Sequence, residues 1–168
     1  MKKFLLIFFA LISLNSISYA AGGSSSGADS SGGGAESTTQ MYNSAINYVK
    51  AGKKLEKKNK LEKANKKYQK AFNRLTKINK KDPSNPDVLN YLGFTSRKLG
   101  DFENAEMYYL KGLKISPKHN GINEYLGELY VYTDRHNLAV ERLEVLKSCN
   151  CKEYEQLKAV IAGEASKY

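Results

Sequence analysis

The stretch Leu89 to Pro117, LNYLGFTSRKLGDFENAEMYYLKGLKISP, decides how this chain folds. Its apolar residues recur at helical spacing in two runs, separated by Leu99-Gly100-Asp101-Phe102. Small residues at Gly93, Ala105 and Gly112 let two antiparallel helices approach closely, while Leu89, Leu92, Phe102 and Tyr109 fill the seam between them. Gly100 is free to take a positive φ, Asp101 is placed to cap the second helix, and Pro117 ends the unit.

The same pattern returns 34 residues on, as Asn123, Leu126, Gly127, Tyr130, Asp134, His136, Ala139, Leu143 and Leu146. It is also found upstream as Tyr48, Ala51, Gly52, Leu55, Asn59, Leu61, Ala64, Tyr68 and Ala71. After Ala71 the first copy departs, because its helix-ending Pro83 lies seven residues late. Phe72, Leu75 and Ile78 carry an apolar stripe through the extension, which predicts a second helix from about Lys60 to Asn79 that overhangs the rest. The rival register, Pro83 against Pro117, would put Lys58 and Asn59 where Leu92 and Gly93 should pack. At the third turn Asp134 supplies the turn chemistry but the glycine is missing, so a looser or differently capped junction is expected there.

Over about Ala45 to Lys147 this pattern resembles the tetratricopeptide repeat. The resemblance implies an all-α, right-handed superhelical stack of three hairpins, about 41–82, 86–116 and 120–148, closed by a capping helix at about 152–163. It also implies that the first helices line a concave groove that holds a protein or peptide. The groove-facing places fall on Val49, Lys53 and Lys57, then Asn90, Phe94, Arg97 and Lys98, then Glu124, Glu128 and Tyr132. Asn90 fits the Lys/Asn clamp that some members use for a peptide carboxylate, but Phe94 stands where another Asn belongs. Phe94 and Tyr132 are expected as apolar anchors in a groove whose charge runs from positive to negative.

Ahead of the repeats, Lys2 and Lys3 precede the apolar run Phe4 to Leu14 and then Ser18-Tyr19-Ala20, the pattern of a signal peptide cut after Ala20. A retained anchor is the weaker reading, since Ser13, Asn15 and Ser16 interrupt the run and a span needs about 20 apolar residues. No cysteine lies near the cut, which argues against a lipoprotein. The expected location is the periplasm or outside of a bacterium. Residues 21–40, nearly all Gly, Ser, Ala and Thr, read as a flexible linker.

The net charge of +10 is unevenly spread. Lys50 to Lys81 holds fourteen Lys or Arg against Glu56 and Glu62. So one-sided a hairpin repels itself, and an anionic partner would relieve that: acidic lipid, a wall polymer or an acidic protein face. Nucleic acid is the weak candidate, by the expected location alone.

No catalytic constellation or cofactor motif is present. His136 occupies the place of Phe102 and is expected to pack, not to act as a base. Cys149 and Cys151, in an exported chain, read first as a local disulfide, next as reduced thiols, and least as a copper(I) or redox site. Sequence alone leaves the partner and the oligomeric state open.

Overall fold

Strong start and stop signals alternate along the chain, and the backbone follows them. The computed structural model describes residues 36–164 and contains seven helices and, among the described residues, no strand. They are α1 (Thr38–Glu56), α2 (Leu61–Lys81), α3 (Pro86–Lys98), α4 (Phe102–Ile115), α5 (Asn120–Tyr132), α6 (His136–Leu146) and α7 (Lys152–Ile161). The architecture is therefore all-α, with α1/α2, α3/α4 and α5/α6 paired as hairpins. The leader and most of the Gly/Ser-rich segment lie outside the described residues.

The caps explain the boundaries. Ser37 and Gln40 form a reciprocal capping box, so α1 starts at Thr38, ahead of the Met41 that composition suggested. Asn85 accepts from the Val88 amide with Pro86 in the first turn, and Asp101 accepts from the Asn104 amide. His119 caps α5 through Nδ1, a role its sequence position did not advertise.

The three turns within hairpins are built alike. Asn59, Gly100 and Asp134 all take left-handed conformations, with φ of 53°, 86° and 58°. The next residue in each case donates its amide to the carbonyl five residues back: Lys60 to Leu55 (3.0 Å), Asp101 to Ser96 (2.9 Å) and Arg135 to Tyr130 (2.7 Å). The third junction is therefore not looser, but it is capped differently, as the missing glycine suggested: no side chain caps α6, whereas Asp101 caps α4. Asp134 adopts the conformation that glycine would, as Asp tolerates better than most residues. Arg135 then fastens the turn, through Nε to the Thr133 hydroxyl and through both Nη atoms to Glu106 of α4.

Close approach within each hairpin depends on a glycine facing a large side chain. A Cβ on Gly52 would run into the ring of Tyr68, and one on Gly93 into the ring of Tyr109. The third hairpin differs. Leu143 occupies the tyrosine place and is only half-buried, and Gly127 is filled instead by Leu157 of α7, which is fully buried. The final helix thus supplies the residue that the third hairpin lacks. Just before it, Cys149 and Cys151 are joined by a disulfide, Cα–Cα 5.2 Å.

α2 runs 21 residues, against 14 for α4 and 11 for α6. Leu75 and Ile78 of its last turns are buried in the cluster that includes Val88 and Leu89 of α3, and Phe72 meets Tyr108 edge-on at 6.4 Å. His136 is exposed at the start of α6, contrary to the packed histidine expected from its alignment with Phe102. The first position of the helix points away from the seam here, so a polar ring is solvated at no cost.

Because Tyr109 is fully buried and hemmed in, Gly93→Ala should destabilise the fold by about 1–3 kcal/mol, read as a melting temperature lower by several degrees in circular dichroism. Wild-type melting in this variant would mean that the helices separate freely.

Candidate functional site

The helices α1, α3, α5 and α7 line one side of the stack. That side curves inward, because Lys53 of α1 reaches over α3 to hydrogen-bond the Tyr125 hydroxyl of α5 at 3.1 Å. On the way its ammonium passes 4.6 Å from the centroid of the Phe94 ring and 5.4 Å from that of Tyr125. Two ion pairs flank this bridge. Lys98 of α3 meets Glu56 of α1 at 3.0 Å, and Arg97 meets Glu128 of α5 at 2.5 Å. Glu56 also accepts the Tyr68 hydroxyl at 2.8 Å.

This charged bridge divides the concave side into two cavities. The smaller, about 320 Å³, has Phe102, Val131, Tyr132 and Val160 as apolar walls and the two ion pairs at its back. The larger, about 640 Å³, is lined by Tyr42, Tyr91 and Tyr125, by Lys50, Lys53, Lys118 and Lys152, and by Asp87, Asn90 and Glu153. Asn90 in the larger and Glu128 in the smaller are 6% and 3% exposed. Each keeps one buried oxygen with no hydrogen-bond donor among the described residues.

Burial dominates the electrostatics. The Glu124 carboxyl is pushed up to about 8 by desolvation, with Glu128 and Glu153 adding to it and Lys53 and Lys152 opposing. The Lys53 ammonium is pulled down to about 8, again by desolvation first, with Glu124 and Glu128 holding it up. In both groups burial disfavours the charged form, which raises the carboxyl and lowers the ammonium.

The structure brings most of the expected groove residues together but changes their parts. Lys53, Phe94, Arg97, Lys98, Glu124 and Glu128 converge at the bridge, Asn90 lines the larger cavity, and Tyr132 stands at the rim of the smaller one, 68% exposed and 4.9 Å from Phe102. Phe94 is not an open anchor: it is 0% exposed, wedged between Tyr68 and Tyr125 beneath Lys53, Arg97 and Lys98. Nor does charge run from positive to negative along the groove, because the α3 cations Arg97 and Lys98 are paired with acids on either side, Glu128 of α5 and Glu56 of α1. Val49 belongs to the core while touching the larger cavity, and Lys57 is exposed at the end of α1, outside both cavities. Glu56, Tyr91, Tyr125 and Val160 line the cavities without having been expected there. Glu56 had a legible signal, since it occupies the place of Arg97 one repeat earlier; Val160 had none, since α7 lies outside the repeat. Among the described residues, no group of three or more His, Cys, Asp or Glu could hold a metal ion.

Comparison with known proteins agrees with this geometry. Residues 86–119, the second hairpin, match the family model of the tetratricopeptide repeat. No curated protein matches the chain. Among solved structures, the second TPR domain of the human RPAP3 protein, in complex with the HSP70 peptide SGPTIEEVD, superposes with a TM-score of 0.53 at 16% identity, covering 75% of this chain and 98% of that one. The first TPR of Spaghetti (RPAP3), bound to the HSP90 peptide SRMEEVD, gives 0.50 at 20%, covering 72% and 95%. At such identities the likeness is one of fold: stacked helical hairpins of the tetratricopeptide type.

Two measurements test the bridge. Arg97→Ala leaves Glu128 buried and unpaired and should cost about 3–5 kcal/mol in chemical denaturation, whereas Arg97→Met combined with Glu128→Leu should cost far less. The second concerns pH. Glu124 has its folded pKa raised, so its contribution to stability is complete below about 4.5 and is lost as pH rises through about 8. Lys53 is shifted the other way, so its cost is full below about 8 and is relieved as pH climbs toward 10.5. Unfolding free energy should therefore fall by about 2–4 kcal/mol between pH 5 and 8, and Glu124→Gln should flatten that slope. An equal slope in both proteins would show that Glu124 is not its source.

Proposed function

We propose that this protein is a non-enzymatic scaffold that holds a segment of another protein against its concave side, in the envelope or surroundings of a bacterial cell. The observation that carries the reading is the pair of cavities on one face with unlike chemistry, one apolar at its rim and one rich in tyrosine and lysine, separated by an ionic bridge. Tyr132 supports it in particular. A large aromatic standing mostly in water beside Phe102, Val131 and Val160 gives an amphipathic anchor for a partner's apolar side chain. The unpaired oxygens of Asn90 and Glu128 are acceptors waiting for donors, as the amides of a bound peptide would be. Similarity to peptide-bound domains points the same way, since those named above hold HSP70 and HSP90 peptides. The basic start, the apolar run and Ser18-Tyr19-Ala20 support export.

Photocrosslinking tests the groove. A benzoylphenylalanine at Tyr132 should yield a discrete crosslinked species in growing cells, which Lys98→Glu should abolish by opening the bridge. The same probe at Met107, exposed on α4 and outside both cavities, should yield none. Matching products at both positions would rule out the concave side as the binding face. Mass spectrometry of the mature chain should find Ala21 at its amino terminus, and an intact Met1 would end the export part of the reading.

A further inference from the structure

Away from the groove, α2 carries a row of cations. Lys63, Lys67, Lys70, Arg74, Lys77 and Lys81 follow one another at alternating steps of four and three residues, which sets them in a line along one side of a helix. At 1.5 Å per residue the line is about 27 Å long. Its last members, Lys77 and Lys81, ride on the extra turns by which α2 exceeds α4 and α6.

The ridge has little to neutralise it. Among the described residues, Arg74 alone of the six has a carboxylate in ion-pair range, Glu36 at 2.6 Å. α2 carries one acid, Glu62, in its first turn. Lys67, Lys70 and Arg74 lie over the ring of Tyr48, between 5.5 and 5.8 Å from its centroid. Their charged groups stand over that ring at cation–π range, while Lys63, Lys70, Lys77 and Lys81 stay exposed. A solubilising cap over the first hairpin explains the contacts with Tyr48, but it would be served as well by mixed charge.

We infer that the outer edge of α2 is a docking ridge for an anionic phospholipid surface. A helix touches a plane along one line, and here that line carries six cations, of which Lys63, Lys70, Lys77 and Lys81 are exposed and Lys67 and Arg74 half-buried. The ridge consists of five lysines and one arginine, and its aromatic, Tyr48, sits beneath the charges. Lysines are hydrated point charges suited to a diffuse sheet of phosphates, whereas nucleic acid or a defined anion favours arginine forks and open rings for stacking. On α2 the exposed large apolar side chain is Leu61 at its start, so the contact is adsorption, not insertion. This inference is independent of the groove and its partner.

The test is flotation of the full chain with phosphatidylcholine vesicles, with and without phosphatidylglycerol, at low and high salt. The leader is common to every variant, so differences between variants isolate the ridge. Lys63→Glu, Lys70→Glu and Lys77→Glu together should lower partitioning onto the anionic vesicles by on the order of a hundredfold at low salt. Lys111→Glu, Lys114→Glu and Lys158→Glu, the same change in net charge on exposed residues elsewhere, should lower it much less. Binding by the wild type should fade as salt rises. Helicity is checked by circular dichroism, and if the ridge variant loses it, glutamine replaces glutamate at the same three positions. The proposal is overturned by equal losses in both triple variants, by equal binding to vesicles without phosphatidylglycerol, or by failure on anionic vesicles while linear polyphosphate is bound.

Discussion

A glycine pressed against a large side chain holds this molecule together. Where Gly52 meets Tyr68 and Gly93 meets Tyr109, two helices approach so closely that no Cβ fits between backbone and ring. That contact fixes both the separation and the register of each hairpin, since only one residue on the first helix has the needed notch. With each pair fixed, the second helix of one hairpin can present its other face to the next, and stacking follows. Fully buried alanines at Ala64, Ala105 and Ala139 repeat the demand for small residues in the facing helix.

Stacking in turn creates the concave side, and curvature forces charges together. Lys53, Lys98 and Arg97 from two hairpins meet Glu56, Glu124 and Glu128 from the first and third, in a space too small to hydrate them separately. Buried pairs of this kind add little net stability but tolerate few alternatives, because a lone survivor would be costly. The bridge is thus better understood as a device that fixes how the hairpins sit relative to one another. Its position, between an apolar cavity and a polar one, makes it also the natural divider of whatever lies in the groove.

The fold class was legible because small residues at fixed spacing are rare by chance and have one common cause, the close approach of helices. Turn chemistry was legible at Gly100 and at Asp134, but not the bracing by Arg135 that closes the third turn, where a conformation that usually needs glycine is reached by an acid. The groove was legible only as a set of positions. Spacing says which residues face the concave side, but whether Phe94 stands open or lies beneath three cations depends on side chains from other hairpins, and no local pattern encodes that. His136 and Val160 show the same gap from either direction: one aligned with an apolar seam position yet solvated, the other outside the repeat yet lining a cavity.

The substitution of Leu157 for a tyrosine at the third hairpin has a bearing on the order of assembly. The first two hairpins contain both halves of their own lock, so each is complete once its second helix exists. The third must wait for a residue that emerges from the ribosome well after α6, and until then Gly127 faces an unfilled notch. A chain interrupted anywhere before α7 would leave Gly127 unfilled, which ties the integrity of the third hairpin to a ten-residue helix outside it.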